Sequence, residues 1–163
     1  MTRSGASLRD RVDAAISALG RTHPRVIPLR VELAEGLIVH GLPEEGLAML
    51  GALVAECAAE LGPHHETTLV LANNHAMKLA ELGRPEGLSR LEALVPAARE
   101  LWGPLDRRTV LLRSNVAAAT GMAGRFGEAI AQLEALLAEP ALDDDVVATL
   151  RTNLASWCSR IES

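Results

Sequence analysis

The sequence predicts an all-α chain made of stacked helix pairs. Three observations carry that expectation. A block recurs along the chain at spacings of 41 and 42 residues, and a fixed period in this range marks an array of units that bury their apolar faces on their neighbours. Between the breaks, apolar residues recur at helical intervals, and no alternating stretch bounded by hairpin turns occurs. Gly, with Pro or Arg beside it, punctuates each block at fixed places.

The register is explicit. Gly62 to Gly103, Asn74 to Asn115 and Gly83 to Gly124 are each 41 positions. Gly20 to Gly62, Ala34 to Ala76 and Gly41 to Gly83 are each 42, as are Leu91 to Leu133 and Leu94 to Leu136. A partial last copy, LRTNLA at residues 150–155, stands beside LRSNVA at residues 112–117.

The pieces Asn73-Asn74-His75-Ala76, Leu61-Gly62-Pro63-His64 and the Gly-Arg-x-x-Glu-Ala run at residues 124–129 resemble the tetratricopeptide repeats of kinesin light chains and of many bacterial proteins with the same long repeat. The resemblance covers residues 19–160. Two departures stand out. Glu32 occupies the position that later repeats give to Asn, and Pro43 and Pro85 replace the aromatic that Phe126 keeps after the turn. The resemblance implies a right-handed α-solenoid of about eight helices, with residues 1–163 forming a single repeat domain. Its repeats would span residues 20–61, 62–102 and 103–142, with flanking half-repeats at 7–19 and 143–161.

Each element has its own local cause. Residues 1–6 are small and polar and are expected to fray. Ser7 is placed to cap a helix to residue 19, with Leu8, Val12, Ala15, Ile16 and Leu19 on one stripe, and Gly20 ends it. Pro24 is expected to open the next helix, to residue 40, with Pro28 tolerated near its first turn. A third helix, residues 44–61, buries Leu47, Leu50, Val54, Cys57, Ala58 and Leu61. The central pair spans residues 66–82 and 86–101, and Pro96 inside its second helix should kink it or cost about 3 kcal/mol. The next pair spans 106–123 and 127–138. Asp143, Asp144 and Asp145 then favour the positive end of a final helix to residue 161. Ala34, Ala76, Ala117 and Ala155 recur at one register, where a small side chain lets the partner helix approach closely. Gly46 and Gly87 stand where the third repeat has Ala129, so their helix starts are expected to be soft.

Composition narrows the function. The 163 residues carry 16 basic and 21 acidic side chains, a net charge of −5, which argues against a general nucleic-acid binder. Residues 1–19 lack a continuous apolar segment, and no stretch reaches a membrane-span length. Cys57 and Cys158 fit no metal spacing and read as small buried residues of a reducing compartment. These features point to a cytoplasmic protein. Lys78 is the only Lys beside many Arg, which suggests a GC-rich bacterial source.

The candidate site residues are Asn73, Asn74, Lys78, Arg113, Asn115, Arg151 and Asn153. Asn is a mediocre helix former, so its recurrence mid-helix at one register asks for a reason. The resemblance implies that these amides line a concave face and hold the backbone of an extended peptide. An amide suits that task because it both donates and accepts. The alternative is that each Asn bonds a neighbouring helix and orders the stack. Arg30, Arg113 and Arg151 lie two residues before the Asn register, about 200° away around a helix. Arg and Asn therefore cannot both face one groove squarely, and Arg is expected toward an edge or a neighbouring helix. His64-His65-Glu66 matches a turn and cap better than a metal site. Neither a metal nor a cofactor is expected.

These readings favour a non-catalytic interaction module or adaptor that binds a peptide or partner protein. A sensing module for a small molecule or signalling peptide is the alternative, and an enzyme built into the groove is a third. At the two ends, Val12, Ile16, Trp157 and Ile161 leave room for an apolar strip beside Arg9, Asp10, Asp13, Arg151, Ser156, Arg160 and Glu162. A homodimer through a terminal helix is the corresponding expectation. Trp102 and Trp157 are expected to pack, Trp157 covering the end of the array.

Overall fold

The computed structural model describes residues 7–140 and 142–161; the expectations for residues 1–6 and Glu162, and for the Ile161 side chain, lie outside the described residues. Eight α-helices follow one another: α1 (Leu8–Leu19), α2 (Ile27–Val39), α3 (Pro43–Leu61), α4 (Glu66–Glu81), α5 (Glu86–Trp102), α6 (Arg107–Met122), α7 (Phe126–Leu137) and α8 (Asp144–Ile161). No strand occurs among the described residues.

Glycine sets the helix ends. Gly41, Gly83 and Gly124 have φ of 85°, 71° and 82°. After each, the next N–H reaches back to close the helix end: Leu42 N to Leu37 O at 2.9 Å, Arg84 N to Leu79 O at 2.8 Å and Arg125 N to Thr120 O at 3.2 Å. A residue with a Cβ rarely adopts that backbone, so the turn inside each pair requires Gly.

Side chains cap the starts of α1, α4 and α6. Ser7 and Asp10 form a reciprocal capping box on α1. His65 and Asp106 occupy equivalent positions before α4 and α6, and each accepts the backbone N–H two residues on, at 3.2 and 2.9 Å. His23 makes the same bond at 3.1 Å in the turn that precedes α2, whose start has no side-chain cap. The turn-and-cap reading of the His64-His65 pair therefore holds for His65.

One helix start differs from expectation. The α2 helix begins at Ile27, not at Pro24. The Ile27 N–H bonds the His23 carbonyl at 3.1 Å, but Pro28 has no N–H to offer the Pro24 carbonyl, so the earlier turn does not continue as α-helix. By contrast α5 continues through Pro96 to Trp102.

The chain forms two compact units, residues 1–71 and 72–163, with the boundary inside α4. In the first, α2 packs on α3, and Ile27, Leu53, Cys57 and Leu71 make a buried cluster. In the second, one cluster centres on Ala76, Leu91, Ala98, Leu112 and Val116. Another joins Val110, Leu133, Leu136, Val146, Leu150 and Trp157. Leu19 and Leu61, assigned to apolar stripes from periodicity, are exposed in the last turns of their helices.

The small-residue register works where a partner helix exists. Ala34, Ala76 and Ala117 are buried, whereas Ala155 is exposed because no described helix follows α8 to pack on that face. Cys158 is exposed on the same helix, a correction to its reading as a buried residue, while Cys57 is buried. Val12 and Trp157 are only 4% and 6% exposed. The apolar strip expected to mediate a homodimer is therefore turned inward at both residues.

Gly46 and Gly87 are explained by contact, not by softness. A Cβ on Gly46 would lie 2.5 Å from the Ala34 carbonyl oxygen, and one on Gly87 would lie 2.4 Å from the Ala80 nitrogen. Helix propensity alone predicts that Gly87→Ala gains about 0.5–1 kcal/mol. Backbone atoms cannot move aside as a flexible side chain can, so overpacking wins and a net loss of about 1–3 kcal/mol is expected. Urea denaturation checks the sign; a stabilised Gly87→Ala variant would contradict this account of the α4–α5 contact.

Candidate functional site

The second unit carries the Asn register on α4, α6 and α8. Asn115 donates Nδ2–H to Asn73 Oδ1 at 3.0 Å, and Asn153 donates Nδ2–H to Ser114 Oγ at 3.0 Å. One rule covers both bonds: each Asn reaches the polar side chain one position before the Asn register on the preceding first helix. Asn73 also donates to Asn74 Oδ1 at 3.4 Å. All four asparagines are half-buried, while Ser114 is 1% exposed.

The ladder thus contributes to stacking without exhausting the amides. An Asn side chain offers two N–H donors and a carbonyl acceptor. Asn115 and Asn153 each use one donor, and their Oδ1 atoms have no protein partner among the described residues.

The arginines turn the other way, as their angular offset requires. Arg113 bonds Glu139 at 2.5 Å, and Arg30 in the first unit bonds Glu56 at 2.5 Å. Both pairs are separated by 26 residues, and the two pairs are 83 residues apart. The central repeat has Ala72 and Ala97 at the corresponding positions, so where the pair is absent neither charge is left behind. That paired spacing was available in the sequence and would have assigned Arg113 to an intra-pair clamp. Arg151 shares the register but is exposed and meets no carboxylate among the described residues. Lys78 pairs with Glu81 at 2.8 Å on its own helix.

Two further features belong to the site's surroundings. His75, beside the Asn pair, is 8% exposed. Burial, with the Arg90 charge adding, pushes its imidazole below the ordinary 6.5, so it packs as a neutral ring. Trp102 is half-buried under the Arg108 guanidinium, which lies 4.7 Å from the ring centroid. No group of three or more His, Cys, Asp or Glu arranged to hold a metal occurs among the described residues. No described helix is long and apolar enough to cross a membrane.

Paired helices, Gly-closed turns and a side-chain ladder on successive first helices define an all-helical repeat protein with the TPR-like fold. The chain is similar to the TPR-like repeats of a kinesin light chain protein from Podosopora anserina, with a TM-score of 0.72 and 22% identity over 93% of this chain and 74% of that one. A variant of the same repeats matches with a TM-score of 0.73 and 21% identity over the same shares of the two chains. No family model matches the sequence, and neither does any curated protein.

Proposed function

We propose that the protein is a non-catalytic interaction module that holds an extended peptide segment of a partner along the first-helix face of α4, α6 and α8. The observation that carries this reading is the half-used Asn ladder. Asn115 and Asn153 are fixed in place by one bond each and keep an unmatched carbonyl oxygen at a half-buried position. A side chain held by its neighbours loses little entropy on binding, and an amide matches the alternating donors and acceptors of a peptide backbone. Asn73 and Asn74 extend the ladder, and Arg151 adds an exposed cation at one end. Lys78 and Arg113 flank it with charges that already have partners, so they would tune binding and not anchor it.

Selection of binders from a random peptide library tests the reading. The double variant Asn115→Ala, Asn153→Ala should lose at least about tenfold in affinity for the selected peptides, which corresponds to about 1.4 kcal/mol. Its helical signal should persist, because the lost inter-helix bonds are worth about 1 kcal/mol each. Peptides that bind the double variant as tightly as the parent would place the binding face elsewhere.

A further inference from the structure

The first unit contains a cavity of about 340 Å³ between α1, α2 and α3. Its apolar wall is formed by Val12, Ile16, Leu33 and Met49, and Arg9, Arg21 and Arg30 also line it. A second cavity, of about 260 Å³, lies in the other unit and is lined by Val95, Arg113, Val116, Gln132 and Ala135. These are register equivalents: Val12, Arg30, Leu33, Met49 and Ala52 each lie 83 residues before their counterparts. The repeat therefore builds the same recess twice, between two second helices over a first helix that carries an Arg.

What differs is the chemistry of the lining. In the first recess Arg30 is 3% exposed, and its Nη1 bonds the Arg21 carbonyl at 2.9 Å and Glu56 at 2.5 Å. Its Nε and Nη2 donors have no protein acceptor among the described residues, although Arg30 borders the cavity. Arg21 bonds the other oxygen of Glu56 at 2.6 Å, so two guanidinium groups share one carboxylate, and the triad carries one surplus positive charge that only Asp13 among the lining residues can offset. Arg9 is matched by Glu45 at 2.8 Å. In the second recess the positions of Arg9 and Arg21 are Glu92 and Pro104, and the surplus is absent.

We propose that the α1–α2–α3 cavity binds a small monocarboxylate with an aliphatic body. The planar fork of a buried arginine matches a carboxylate in geometry and charge. The aliphatic wall accepts an apolar chain, and the volume suits a molecule of a few carbons. Asp13 lines the same cavity, is exposed and has no ion-pair partner among the described residues. Its charge opposes each added negative charge, which disfavours a dianion more than a monoanion. This site lies on residues distinct from the proposed peptide face, so either reading can fail alone.

The test is a titration of the nitrogen-15-labelled full chain with 4-methylpentanoate, followed by amide chemical shifts, beside 4-methylpentanamide as the neutral isostere. The acid should give saturable shifts in α1, α2 and α3 with a Kd on the order of 1 mM, as expected for so small a ligand. The amide should bind at least about tenfold more weakly, since it cannot accept a charge-assisted fork from Arg30 Nε and Nη2. Arg21→Gln, at a solvent-exposed position, and Ala52→Leu, which fills the recess from an exposed position, should each weaken the acid without loss of the spectrum. Equal binding of acid and amide, shifts spread over both units, or no saturation by about 10 mM would overturn the proposal. Unchanged affinity in both variants would do the same.

Discussion

Glu56→Ala is expected to lower stability by about 3–5 kcal/mol, the cost of leaving a buried charge uncompensated. Arg30 is 3% exposed and tied to the Arg21 carbonyl, so little hydration replaces the lost partner. The wild-type pair also sets an acid limit. Glu56 is held at about 2 against an ordinary 4.5, chiefly by the Arg21 hydrogen bond, with the Arg30 hydrogen bond and charge adding to it and desolvation opposing. A depressed folded-state value means that the contribution is complete above the unfolded value and is lost as pH falls through the folded one. Stability on the order of 3 kcal/mol should therefore disappear between about pH 5 and pH 2 in the parent. It should be missing from that window in Glu56→Ala.

The control comes from the protein's own central repeat, which has Ala72 and Ala97 where the outer repeats have the pair. Arg30→Ala combined with Glu56→Ala should be more stable than Glu56→Ala alone, because the orphaned charge is removed with its partner. Urea curves with matched slopes at neutral pH compare the parent and both variants. A Glu56→Ala cost below about 1 kcal/mol would mean that the pair behaves as a surface ion pair.

Trp157→Ala should cost about 3–5 kcal/mol, the range for deleting a large buried aromatic. Trp157 is 6% exposed, and its ring stacks on Phe126 with centroids 5.9 Å apart. The ring lies directly on Gly121, where an added Cβ would sit 2.6 Å from it. Gly121→Ala should therefore destabilise the parent even though alanine is the better helix former. In the Trp157→Ala background the obstruction is gone, and the same substitution should gain up to about 1 kcal/mol. Thermal and urea unfolding followed by circular dichroism reads both backgrounds. If Gly121→Ala has the same sign in each, the ring does not rest on that glycine in solution. Loss of stability together with loss of a dimer would instead restore the terminal-helix interface.

The repeat period, the turn glycines and the helical spacing of apolar residues were all legible in the sequence, because each is local. Gly41, Gly83 and Gly124 stop their helices through backbone sterics that no distant contact alters. The same holds for the cap at Ser7. The candidate amides could also be found by register alone, since recurrence mid-helix has no local cause. Their bonding could not. That Asn115 reaches Asn73 and Asn153 reaches Ser114 depends on how first helices lie side by side.

Tertiary structure likewise decided the roles of residues that propensity misread. Gly87 looks like a weak point until Ala80 is brought against it. Cys158 and Ala155 fit a buried pattern, but no described helix covers them. The partners of Arg30 and Arg113 emerge only when Glu56 on α3 and Glu139 in the turn after α7 are brought against them. Sequence alone determined what depends on neighbours along the chain: period, element type and the Gly-closed helix C-termini. Burial, charge pairing and close backbone approach depend on neighbours in space, and only the packed helices supply those.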